Sequence, residues 1–366
     1  MSEPSDLDLL YTDVEDDLRA VVRRLLAQRC DPHAVAALYD GDRSPVAPLW
    51  HGLATELGLA GLIVSEDRGG AGATAREAAV VLEELGRAVA PVPFLTSSVI
   101  AATTLLDTDS TLVRSLAAGE TVVALTLPWS TAPFDDLPSI AVDRGLLTGT
   151  MTSVAGAVEA DVLLVPVATD EGVALYAVSS EEVQVTPIVS LDMTRQLADV
   201  CFSGVAGELM LLDAETAVRR GLEAGCALLA SEQLGIAQWC LEATVAYVKD
   251  RRQFGRAVGG FQALKHRLAD VYTGVESAAA AARYAAASLA AKSDDLSVAC
   301  GVAQSYCSDQ AVAAAEEAVQ LHGGIGMTWE HPAHLYLKRA KADQLALGGP
   351  GAHRRQLADL VGISAS

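Results

Sequence analysis

The chain has 366 residues, 51% hydrophobic and 20% charged, a globular composition with no signature of disorder. Its 26 Lys and Arg against 47 Asp and Glu leave a formal charge of −21, which argues against nucleic acid and anionic membranes as partners. The length suits two or three packed units rather than one small core.

Residues 1–11 are acidic and carry no apolar h-region, so no signal peptide is expected and the cytosol is the expected compartment. No run of 18 apolar residues predicts a membrane span. Residues 14–28 place Val14, Leu18, Val21, Val22 and Leu25 at helical spacing. Residues 50–59 and 74–90 also read as helices, and Glu66 to Gly72 breaks the pattern as a loop. Pro91 and Pro93 end a helix, which resumes over 96–106.

The character changes near Glu120. Residues 121–127, 161–167 and 174–178 are short β-prone runs, and 183–189 partly alternates. From Ala214 the chain is helical again, over 222–250, 262–292, 296–322 and 332–347, with the Ala-rich composition of a close-packed bundle. The expected domains are helical over 1–119, β over 120–213 and a helical bundle over 214–366. The fold class is α+β, mostly α. The six cysteines sit among Ala, Leu and Val without a Cys-x-x-Cys pair and read as free thiols. Glu330, His331 and His334 form only a weak metal pattern, so no metal is expected.

Two stretches carry chemistry. Arg251, Gln253, Phe254 and Gly255 form R-x-Q-F-G, followed by Phe261-Gln262 and Leu268-Ala269-Asp270. Gln320, Gly323, Gly324 and Gly326 form Q-x-x-G-G-x-G, followed by Trp329-Glu330-His331-Pro332. With Leu57-Gly58-Leu59 and Leu82-Glu83-Glu84-Leu85-Gly86, these resemble the acyl-CoA dehydrogenase family along nearly the whole chain. The resemblance implies an N-terminal helical domain, a middle β-barrel and a C-terminal four-helix bundle. It also implies FAD as cofactor and an acyl-CoA as substrate. By motif match, Arg251, Gln253, Phe254, Gln320, Gly323 and Gly324 contact the pyrophosphate and adenosine half of an FAD seated in a neighbouring subunit. A guanidinium fork suits a pyrophosphate, and glycine permits close backbone approach.

The family's reaction needs a carboxylate to remove the α-proton while the flavin takes the β-hydride. Its two usual base positions fall here on Leu347 and Gly225, neither of which takes a proton. Glu223 is a weak candidate for a relocated base, about 200° round the helix from Gly225, and Glu232 a weaker one. Gly225, with the Glu missing, leaves room for a bulky substrate on this reading. The flavin-ring half looks degraded. Leu125 to Ser130 replaces a T-E-P-G-A-G-S-D-like loop, and Ser153 to Ala157 replaces a W-I-T-N-G-like strand. Residues 328–336 and 346–349 resemble a subgroup of actinobacterial acyl-CoA dehydrogenases, of the steroid side-chain type, that are α2β2 heterotetramers. The expected function is therefore a subunit without a base that lends FAD contacts to a second family member. The alternatives are a self-sufficient homo-oligomer with a displaced base and a redox-silent scaffold of the same fold.

Overall fold

The structure is a computed structural model that describes residues 7–108 and 110–363; residues 1–6 of the acidic leader lie outside it. The helices are α1 (Asp13–Arg29), α2 (Pro32–Ala37), α3 (Val46–His51), α4 (Ala75–Ala88), α5 (Ala102–Thr104), α6 (Leu112–Ala117), α7 (Glu215–Asp250), α8 (Gln262–Ala290), α9 (Leu296–His322), α10 (Ala333–Leu345) and α11 (Pro350–Leu360). Local chemistry sets several of their ends. Thr12 with Glu15 and Thr74 with Glu77 form reciprocal capping boxes that satisfy the first free N–H groups of α1 and α4. Residues 50–59 do not form one regular helix. The α-turns stop at His51, and Gly52–Glu56 follows as a π-helical turn. The helix expected over 96–106 is likewise π-helical over Phe94–Ala101 before it tightens into α5.

The middle region holds eight strands: β1 (Val123–Leu125), β2 (Ala141–Asp143), β3 (Leu146–Ala155), β4 (Val162–Thr169), β5 (Gly172–Ser179), β6 (Gln184–Pro187), β7 (Leu197–Ala206) and β8 (Glu208–Leu211). They form two four-stranded sheets, ordered β1-β4-β5-β8 and β2-β3-β7-β6. Only β1–β4 is parallel. Bridges at Ile140–Val167 and Pro128–Val154 join the sheets. The longest strands, β3 and β7, were not evident as separate runs. In Thr148 to Thr152 only Met151 is apolar, and the strand is defined by its pairing with β7.

α7 is 36 residues long, about 54 Å at helical rise. It packs on α4, α8 and α9. Glycines allow the α4–α7 contact: a Cβ on Gly86 would lie 2.1 Å from the Glu232 carbonyl, and one on Gly235 would lie 2.0 Å from that of Glu83. Alanines do the same in the bundle. Ala278, Ala282 and Ala285 of α8 face Ala303, Cys307, Ala311 and other small residues of α9 in the core. Among the described residues no helix is long and apolar enough to cross a membrane.

Candidate active site

Leu347 follows α10 in a tight turn. Its N–H donates to the Trp129 carbonyl at 2.8 Å, and its own carbonyl accepts from His353 Nε2 at 2.9 Å. Pinned at both ends, it adopts φ +53°, which a residue with a branched side chain enters only under constraint. The side chain is buried. It points at Gly225: a Cβ built there would lie 3.2 Å from Leu347 Cδ1. The two positions that the resemblance designates for the base therefore meet in one place.

That place is closed. The same Cβ on Gly225 would lie 2.7 Å from Ile100 Cγ1, and one on Gly221 would lie 2.1 Å from Thr104 Oγ1. The Gly221-x-x-x-Gly225 stripe lets the segment Phe94–Thr104 settle directly on α7. What remains is a cavity of ≈ 20 Å³ lined by Thr96, Ile100, Leu125, Leu127, Trp129 and Leu222, among others. That holds about one water and no thioester. The room expected at Gly225 for a bulky substrate is thus taken by Ile100. No carboxylate lines the cavity.

Neither weak candidate base reaches it. Glu223 faces α9, accepts from the Ser297 hydroxyl at 2.6 Å, and lines a different cleft of ≈ 450 Å³ with Arg219, Arg220 and Cys300. Glu232 is buried between two guanidiniums, 2.7 Å from Arg195 Nη2 and 2.7 Å from Arg339 Nε. Burial alone would raise its pKa, but the charges of Arg195 and Arg339 outweigh that and hold it at about 2. Such a group does not accept a proton near neutrality. Arg195 also reaches Asp343 at 2.6 Å, and Arg339 reaches Asp192 at 3.2 Å and the Thr194 hydroxyl at 2.6 Å. Burial, then the charge of Glu232, raises the pKa of Asp343. This network, which the motifs did not reveal, locks the β6–β7 loop onto α7 and α10. The only local sequence signal for it was Arg339 four residues before Asp343 on one helical face.

The two stretches aligned with the flavin-ring loop and strand do come together. The Trp129 N–H donates to the Ser153 carbonyl at 2.9 Å. They border a cleft of ≈ 660 Å³ with Ser130, Ser190, Arg195, Lys341 and Leu345. Arg195 lies over the Trp129 ring at 5.1 Å, so a cation–indole pair forms part of its wall.

The remaining expected site residues lie at the end of the bundle where α7 and α9 finish. Arg251 is the C-cap of α7 and is exposed. It joins no ion pair among the described residues. Gln253 and Phe254 lie on the hairpin Arg252–Gln253 and Arg256–Ala257, with Phe254 88% exposed at φ +54°. Gln320 is exposed near the end of α9. Gly323, at φ +64°, is the helix stop. Gly324 has no such conformational reason, and a Cβ there would meet nothing within 4 Å. The two clusters are tied by ring contacts of His322 with Tyr247 at 4.4 Å and with His331 at 4.1 Å. His334 packs on Trp329 and Tyr39.

Two family models match the sequence: Acyl-CoA dehydrogenase, N-terminal domain, over residues 12–110, and Acyl-CoA dehydrogenase, C-terminal domain, over residues 216–361. The chain is also 36% identical over 342 residues to acyl-CoA dehydrogenase IpdE2 of Mycolicibacterium smegmatis, covering 93% of this chain and 96% of that one. The chain belongs to the acyl-CoA dehydrogenase family. These are oxidoreductases acting on CH–CH bonds, with FAD as the family's cofactor. Among solved structures, the ChsE4-ChsE5 complex from Mycobacterium tuberculosis matches with a TM-score of 0.87 at 26% identity, over 98% of this chain and 100% of that one. A variant of the Tcur3481-Tcur3483 steroid ACAD matches with a TM-score of 0.84 at 26% identity, over 96% of this chain and 98% of that one.

Proposed function

We propose that this acyl-CoA dehydrogenase chain is the base-less subunit of a heteromeric, FAD-dependent enzyme and lends cofactor contacts to a partner of the same family. The observation that carries this is a separation. Gly225 of the sealed site and Arg251 of the exposed cluster lie on α7 and at its C-cap, 26 residues apart, or roughly 39 Å at helical rise. The exposed cluster therefore does not serve this chain's own base position. It is suited to an anionic ligand brought by another subunit: Arg251 is unpaired among the described residues, and Gly324 leaves its backbone open to close approach.

The fit to FAD is that of half a site. Arg251, Gln253, Phe254, Gln320, Gly323 and Gly324 would hold the pyrophosphate and adenosine end, and the flavin would supply hydride acceptance in the partner. The likeness to a two-subunit complex and to a steroid ACAD supports an α2β2 assembly acting on a steroid side-chain thioester. Substrate choice then belongs to the partner, because this chain's own slot has no room for an acyl group.

The test is flavin retention. The chain is purified alone and with a co-expressed family member that keeps the catalytic Glu, and the 450 nm band is compared with protein content. FAD at about one per pair of chains in the mixed assembly, and none in the lone chain, is the expected result. A lone chain that is fully yellow and bleached by an acyl-CoA refutes the proposal.

A further inference from the structure

A cleft of ≈ 810 Å³ opens between α1, α4, α7 and α8, and none of the six proposed FAD contacts lines it. Its volume lies within the range of about 300–1,000 Å³ usual for small-molecule sites. On a chain of charge −21 its walls gather Arg19, Arg23, Arg87, Lys249, Lys265 and Arg283. Arg19, Arg23 and Arg87 are neutralised by Glu83, Glu84 and Glu242. Lys249, Lys265 and Arg283 join no ion pair among the described residues, and the only unpaired carboxylate beside them is Glu276. The cleft is thus locally cationic within an anionic protein.

Its charged groups lie at two ends: Lys249 is at the end of α7 and Lys265 at the start of α8, whereas Arg283 is 18 residues further along α8, roughly 27 Å at helical rise, where it and Arg19 stand over the Tyr11 ring at 4.4 and 4.5 Å. The rest of the wall is apolar, formed by Leu241, Val245 and Val248 of α7 and Leu268 and Val275 of α8. We infer that the cleft is a binding site for an anionic amphiphile, with its apolar body along Leu241, Val245, Leu268 and Val275 and its carboxylate or phosphate end at Lys249 and Lys265.

The test is titration calorimetry on the full chain with octanoate, octyl phosphate and, as the uncharged control, 1-octanol. Saturable binding of one equivalent of either anion, at least tenfold tighter than 1-octanol, is expected. Preference between octanoate and octyl phosphate identifies the head group. The Lys249→Met/Lys265→Met variant, changed only at exposed positions, should weaken anion binding at least tenfold with the melting temperature unchanged. No saturable heat, equal binding of 1-octanol, or unchanged binding to the Lys variant overturns the inference.

Discussion

Restoring a carboxylate at the vacant base position tests whether the slot is sealed. Leu347→Glu is close to volume-conserving, so the steric change is small, and the electrostatic one dominates. The new carboxyl faces Ile100, Leu125 and Leu222, with no cation on the cavity wall and space for about one water. Burial of that kind raises a carboxyl pKa by up to about 3–5 units. A rise of about 3 units, from about 4.3 to about 7.3, costs about 4 kcal/mol at pH 8 and about 1.6 kcal/mol at pH 5.5, at about 1.36 kcal/mol per unit. The sign follows from the raised pKa: the unfolded chain ionises first, so the penalty grows as pH rises from about 4.3 and levels off above the folded pKa. Urea unfolding followed by far-UV circular dichroism at both pH values, on wild type and variant, measures the difference. The expected extra loss at pH 8 is roughly 2.5 kcal/mol. An equal penalty at both pH values would mean that the carboxylate reaches solvent, and the closed slot would then be wrong.

Three further outcomes follow from the same geometry. Gly225→Ala should destabilise although Ala favours helix by about 1 kcal/mol, because its Cβ meets Ile100 at 2.7 Å; in an Ile100→Ala background it should be neutral or stabilising, and a double-mutant cycle by thermal melting reads the coupling. Glu232→Gln should cost about 3–5 kcal/mol at pH 7, since it leaves Arg195 and Arg339 under-compensated in the core. Glu232 is held at about 2, below its unfolded value. Its contribution is therefore present above about pH 4.3 and is lost as pH falls towards about 2, so acid titration of the variant should be flatter than wild type in that window. Arg251→Ala and Phe254→Ala, at exposed positions, should each leave stability within about 0.5 kcal/mol while lowering FAD retention in the mixed assembly, read as the flavin-to-protein ratio.

The order of helices, strands and bundle was legible in the sequence because it rests on local rules. Helical spacing marked α1 within 14–28 and α9 over 296–322, and Pro91 and Pro93 marked the break after α4. The chemistry missing at Leu347 and Gly225 was legible for the same reason, since a residue without a carboxyl lacks it in any fold. What stood beside those positions was not. Ile100, Thr104 and Trp129 reach the slot from elements distant in sequence, and only their packing decided that deleting a side chain at Gly225 produced a helix contact rather than a substrate pocket. Glu232 makes the same point in electrostatic form. Its sequence neighbours are Ser231 and Gln233, and the charges that turn it from a candidate base into a structural anion come from Arg195 in a loop and Arg339 on another helix. Composition and periodicity act along the chain, whereas cavity volume and the local field sum over everything nearby in space, so those two properties waited on the tertiary structure.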